Sequence, residues 1–281
     1  MGTTQYLTLP DGRIAFDVQG DGPLVLCAPG IFDLRAEYRF LTPQLVQAGY
    51  RVATMDWRGL GETSADWPDY SVEAVGGDML ALIRHLGGQP AYIVAHSYNS
   101  ASAVCAATAA PELVAGLALH GPFVRDHGLP GQSQLINRLL FGGPWALTLW
   151  RMYYANAFPL RKPADFTEYA QAQLAMLRQP GRLRAMRRAT SGSFAAATQR
   201  LGAVQAPTLI LMGSRDPDYQ PQPEAEWIAA HIPNSTVQMV EGAGHYLIAE
   251  APEIAGPAII RFFQQAHAAR EASHGATSRV G

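Results

Sequence analysis

The sequence predicts an α/β protein with a mostly parallel central sheet, helices on both faces and an all-helical insertion. Three observations carry that prediction. Short runs that are apolar at nearly every position recur at Pro23–Ala28, Ala91–Ala95, Val114–Leu119 and Pro207–Met212, the pattern of strands buried on both faces. Helical stretches alternate with these runs, which implies parallel strands joined by crossover helices. The alternation stops at Pro122 and resumes near Val204. Between them the chain has no strand-like run and carries Leu, Met, Trp, Tyr, Phe and Arg at helical spacing.

The elements follow in order. Tyr6–Leu9 and Arg13–Val18 flank Pro10, Asp11 and Gly12, in which proline sets φ and glycine supplies positive φ, so a hairpin is expected. Leu41–Ala48 reads as a helix and Tyr50–Met55 as a strand. Val72–Leu86 places Val72, Val75, Met79, Leu82, Ile83 and Leu86 on one helical face, with Ser71 as N-cap. A helix of small residues spans Ser100–Ala109, and after the insertion come a helix near Glu224–His231, a strand at Thr236–Val240 and a closing helix at Ile254–Ala268. The expected organisation is a core of residues 1–121 and 204–270, a helical insertion at 122–203 and a flexible tail at 271–281.

Composition narrows the function. Of the 281 residues, 48% are hydrophobic and 16% charged, enough apolar material for a large core, and the net charge of −2 lacks the basic footprint of a nucleic-acid binder. Cys27 and Cys105 both lie in apolar stretches and are expected to be buried, reduced thiols. The N-terminus has no signal-peptide pattern, and no apolar run reaches the roughly 18 residues of a membrane span. A cytoplasmic monomer or homodimer is expected, acting on a small molecule without membrane, metal or cofactor.

Four loops, each following a predicted strand, carry reactive or permissive residues. Ala95-His96-Ser97-Tyr98-Asn99 turns from a strand into the small-residue helix, and a serine there projects its hydroxyl where the next backbone N–H and the helix N-terminus converge. A serine in this place also reads as an ordinary helix cap. Pro29-Gly30-Ile31-Phe32, Gly213-Ser214-Arg215-Asp216 and Gly242-Ala243-Gly244-His245 follow the other strands. Asp218 competes with Asp216. Of the eight histidines, His245 stands out by its two preceding glycines and its place after the last strand. His96 is expected to pack behind the serine, His120 to face the insertion, and His85, His127, His231, His267 and His274 to lie at the surface.

These segments resemble the α/β-hydrolase fold family. The serine turn resembles the G-x-S-x-G nucleophile elbow, with Ala95 and Asn99 in place of the glycines, and Asp56-Trp57-Arg58-Gly59-Leu60-Gly61-Glu62-Thr63-Ser64 resembles the family's D-x-R-G-x-G-x-S loop. The resemblance gives Asp56 and Arg58 a structural role. It implies Ser97 as nucleophile, His245 as base and Asp216 as its orienting acid, in the chain order of this fold. Ile31 and Tyr98 N–H are implied as the oxyanion donors, with Phe32 as the alternative to Ile31. Phe32, His120, Trp145 and Tyr154 are the expected substrate contacts, and the insertion is expected to cap the site. The expected chemistry is ester, lactone or thioester hydrolysis of a small to medium apolar substrate through an acyl-Ser97. Members with an aspartate nucleophile, such as epoxide hydrolases and dehalogenases, are disfavoured by Ser97. A triad-bearing receptor, and a carbon–carbon hydrolase, lyase or perhydrolase, remain alternatives.

Overall fold

The computed structural model describes residues 2–127, 135, 139–140 and 142–277. Eight strands form one sheet in the order β1-β2-β4-β3-β5-β6-β7-β8. The hairpin β1 (Gln5–Leu9) and β2 (Gly12–Gln19) joins antiparallel to β4 (Arg51–Met55). All remaining pairings are parallel, through β3 (Leu24–Ala28), β5 (Ala91–His96), β6 (Val114–His120), β7 (Thr208–Gly213) and β8 (Ser235–Val240). Every parallel strand therefore ends at the same rim. The loops after β3, β5, β6, β7 and β8 meet there, where open α/β sheets bind ligands.

Burial follows the sequence pattern. β3, β5, β6 and β7 are buried along their whole length, because helices cover both faces. On one face lie α2 (Val72–His85), whose N-cap Ser71 accepts from Ala74 N–H at 3.2 Å, and α3 (Asn99–Ala109). On the other lie α1 (Thr42–Gln47) and the closing helix α10 (Pro252–Thr277), whose Phe263 stacks on Tyr92. Cys27 and Cys105 are free and buried. α8 (Pro221–His231) joins β7 to β8, and the short α9 (Leu247–Glu250) follows the last loop.

Among the described residues no strand lies between His120 and Thr208. That stretch holds α4 (Ala146–Asn156), α5 (Phe166–Leu177), α6 (Arg182–Ala189) and α7 (Ala195–Thr198). These helices are tied to the rim by specific bonds. Arg39 grips Asp165 at 2.6 and 2.8 Å, the Tyr169 hydroxyl donates to Asp33, and Arg188 donates to the carbonyls of Trp67 and Pro68. Two elements differ from the sequence expectation. A 3-10 helix at Arg35–Phe40 was not foreseen, and the closing helix runs to Thr277 instead of Ala268, through part of the segment expected to be a flexible tail. Residues 278–281 of that tail, and 128–134, 136–138 and 141 of the insertion, lie outside the described residues.

Candidate active site

The turn after β5 sets the site. Ser97 has φ of 53°, one of only two non-glycine positive φ values among the described residues; the other is Phe32 at 69°. Both belong to the same rim. Side-chain-bearing residues in this region cost about 1–3 kcal/mol each and persist where the surroundings over-determine them. At Ser97 the strain is held by its N–H to His120 C=O at 3.0 Å, and by its C=O accepting from Ser100 and Phe123 N–H at 3.0 and 3.1 Å. At Phe32 it is held by a turn closed by Asp33 N–H on Gly30 C=O at 3.2 Å. In a turn of type II the second central residue needs positive φ. Asn99, where the elbow pattern has glycine, donates its side-chain amide to Pro29 C=O at 2.5 Å. It thereby stitches the serine turn to the loop after β3.

His245 is buried, and its Nδ1 lies 2.7 Å from Asp216 Oδ2 and 3.3 Å from Asp218 Oδ2. Burial opposes an imidazolium here, but the two carboxylates outweigh it and lift His245 to about 9. Asp216 is the nearer acid. Asp218, raised by burial, accepts from the Tyr153 hydroxyl of α4 at 2.6 Å. The base loop is also anchored from the insertion. His245 N–H donates to Ala157 C=O at 3.1 Å, and the Glu250 carboxylate takes the Gly244 and Leu160 amides.

Ser97 and His245 line one cavity of about 260 Å³. No hydrogen bond joins the Ser97 hydroxyl to the His245 ring among the described residues; in substrate-free sites this bond is commonly looser and tightens in the complex. Ile31 and Tyr98 line the same cavity, and among the described residues neither backbone N–H has a hydrogen-bond partner. Two free amides beside a serine at a helix N-terminus are suited to an oxyanion.

The remaining contacts need correction. Phe32 lines the cavity, but His120, Trp145 and Tyr154 do not. His96 lines the cavity, and His120, its register partner on β6, stacks on it with ring centroids 4.3 Å apart without reaching the lining. Trp145 is 52% exposed, with its indole N–H on Leu139 C=O. Tyr154 is buried among Phe158, Phe166 and Tyr246. The insertion instead supplies Trp150, Tyr153, Thr190 and Phe194, with Asp126 at the mouth. Trp150 packs edge-on against Phe32 at 4.9 Å and flat on Tyr153 at 5.3 Å. No Arg or Lys is among the described lining residues.

Asp56 and Arg58 act in the scaffold. Asp56 accepts from the Arg35 side chain and amide and from Glu62 N–H at 2.9 Å, and Arg58 holds Asp78 with both arms. Gly61 is required here, since a Cβ would lie 2.1 Å from the Asp56 carboxyl.

Among the described residues, two clusters each bring three metal-ligating side chains together: Asp216, Asp218 and His245, and Glu37, His96 and His120. In the second, the imidazole planes are parallel to within 1°. Their in-plane lone pairs run in separate layers and do not converge on one ion. A second hollow of about 400 Å³ at the opposite end of the sheet, lined by Arg51, Tyr92 and Arg270, contains no nucleophile–base pair.

Comparison with known proteins agrees with this architecture. A family profile described as alpha/beta hydrolase fold matches residues 23–252. Bifunctional epoxide hydrolase 2 of Sus scrofa is 33% identical over 121 residues; the match covers 42% of this chain and spans 22% of that relative's length. The 2-hydroxy-6-oxononadienedioate/2-hydroxy-6-oxononatrienedioate hydrolase of Cupriavidus pinatubonensis is 28% identical, over 87% of this chain and 90% of its own. Among solved structures, an esterase from Thermogutta terrifontis superposes with a TM-score of 0.78 at 23% identity, covering 95% of this chain and all of that one. No helix among the described residues is long and apolar enough to cross a membrane.

Proposed function

Because the chain belongs to the α/β-hydrolase fold family and turns its elbow on a serine, we propose that it hydrolyses a carboxylic ester, lactones and thioesters included, of a small to medium apolar substrate. The observation that carries the reading is the strained Ser97 sharing a cavity with a buried histidine whose Nδ1 is engaged by Asp216 at 2.7 Å. In this mechanism His245 Nε2 takes the Ser97 proton as the oxygen attacks the substrate carbonyl. Asp216 holds the tautomer and stabilises the imidazolium. The tetrahedral oxyanion is received by Ile31 and Tyr98 N–H. Collapse expels the alcohol with the proton from His245 and leaves acyl-Ser97. Water, deprotonated by His245, then releases the acid and restores the serine.

Residues 122–203 act as the cap in this reading, closing the site with Trp150, Tyr153 and Phe194. A cavity of about 260 Å³ suits a short acyl group. Epoxide opening through an aspartyl intermediate needs a carboxylate where this chain has Ser97. The Cupriavidus relative is named for a dioate, whereas the described lining here offers no Arg or Lys for a carboxylate and presents Asp126 and Asp218.

Turnover of short- and medium-chain p-nitrophenyl esters by the wild type and Ser97→Ala tests the proposal. Sustained turnover that falls by roughly 10⁴-fold or more in the variant is expected. Single-turnover labelling without sustained rate would favour a triad-bearing receptor, and no reaction with a fluorophosphonate would remove the activated serine altogether.

A further inference from the structure

Behind the triad lies a buried polar cluster that the proposed chemistry does not use. Glu37, on the 3-10 helix Arg35–Phe40, is buried with His96 and His120. Gly30 N–H donates to Glu37 Oε2 at 2.8 Å. Glu37 Oε1 lies 2.8 Å from His96 Nδ1, and His96 Nε2 lies 3.1 Å from the backbone carbonyl oxygen of His245. The three contacts run without a break from the oxyanion loop to the base loop.

The chemistry of these atoms fixes where the hydrogens are. A carbonyl oxygen only accepts, so His96 Nε2 carries a hydrogen. In a neutral ring Nδ1 is then a bare lone pair, and it faces a carboxyl oxygen within van der Waals contact. As the side chains stand, neither Nδ1 nor Oε1 has a hydrogen bond to any described group, each other included, and two bare lone pairs held 2.8 Å apart would repel. A proton has to lie between them. Burial decides which side keeps it, raising the Glu37 carboxyl to about 8 and lowering His96 to about 3. Arg39 and His245 act on the carboxyl as positive charges, and the buried Cys27, Asp33 and His120, with Tyr38, Tyr154, Tyr169 and Tyr246, also face it.

The geometry points to Glu37 as a neutral carboxylic acid donating its proton to His96 Nδ1, with Glu37 and His96 as positioning residues that lock the base loop to the oxyanion loop. The donated proton fixes the His96 tautomer, and the fixed tautomer presents Nε2–H to the His245 carbonyl. Gly30 admits the contact because a Cβ there would meet His96 Nδ1 at 2.7 Å. From below, the His120 ring, 3.3 Å from the Tyr38 hydroxyl, buttresses His96. The activity readout of this inference rests on the proposed serine chemistry; the protonation readout does not.

Glutamine is the isostere of a neutral acid. In Glu37→Gln the amide donates to His96 and its oxygen keeps the Gly30 N–H. That variant is expected to keep kcat/KM within about threefold and to leave the acid limb of the pH profile in place within about half a unit. Glu37→Leu can make neither bond and is expected to lose tenfold or more, on the order of 10²-fold at most, in kcat, with a smaller change in KM. In ¹⁵N-histidine NMR of the full chain, His96 should show a bare Nδ1 and a protonated Nε2 between about pH 6 and 8 in both wild type and Glu37→Gln. The inference is overturned if Glu37→Gln moves the acid limb by about a unit or more, since that marks an ionised carboxylate. It is equally overturned if Glu37→Gln loses as much as Glu37→Leu, or if His96 carries its hydrogen on Nδ1. Should Glu37→Leu fail to fold, the glutamine variant and the spectrum decide. A wild type with no ester turnover would sink the proposed function, and the NMR result would still stand or fall alone.

Discussion

The proposed nucleophile and its proposed base each carry a measurable signature. Ser97 and Phe32 hold positive φ without being glycine, so Ser97→Gly should be inactive yet raise the melting temperature by about 2 °C, through relief of about 1 kcal/mol of strain. An unchanged or lower melting temperature would mean the turn is not strained. His245, lifted to about 9 by its two carboxylates, is a base only when neutral. The neutral fraction grows about tenfold per pH unit below that value, so kcat/KM should climb with pH toward about 9. Replacing Asp218 by Asn removes one of the two charges and should move this limb to lower pH, while Asp216→Asn should abolish turnover; a limb that stays put in Asp218→Asn would contradict the assignment. Stability follows the same sign. A folded value above the unfolded one of about 6.5 gives a contribution fully present below 6.5 and lost as pH rises through about 9. At this scale the placement of Ser97, Asp216 and His245 at one rim was legible in the sequence, because each follows a strand and is flanked by residues that permit a tight loop. Glu37 was not legible. In Arg-Ala-Glu-Tyr-Arg it looks like a surface charge, and its burial depends on a partner at His96, far away in sequence.

Helix α4 shows what periodicity resolves and what it does not. Residues 146, 150 and 154 share its buried face, while Met152 and the preceding Trp145 are more than half exposed. An aromatic cluster read without that period puts Trp145 in the pocket, and the structure puts Trp150 and Tyr153 there. Trp150→Ala should therefore cost about 3–5 kcal/mol and shift the preference toward longer acyl chains. Trp145→Ala should change stability by no more than about 0.5 kcal/mol. Thermal melts and a p-nitrophenyl ester chain-length series read both, and equal effects would show that the wrong tryptophan has been assigned. The central strands β3, β5, β6 and β7 were legible to within a residue or two because full burial leaves an unbroken apolar run. The 3-10 helix Arg35–Phe40 was not, since six residues are too few to show a period.

Across the whole molecule, charge and connectivity set what the site accepts. With Asp126 and Asp218 on the described lining and no described Arg or Lys there, an ester bearing a free carboxylate should react roughly tenfold or more slowly than its neutral isostere. Added salt should narrow the gap for charges near the mouth. Equal rates for the two esters would refute this. The bond from His245 N–H to Ala157 C=O has a separate consequence, for chimeras. In the proposed mechanism the backbone of the proton acceptor is fastened to the very segment, the proposed cap, that engineers would swap to alter specificity. Grafting another member's lid onto this chain should therefore slow chemistry as well as redirect selectivity, unless the transplant brings a carbonyl to the same spot.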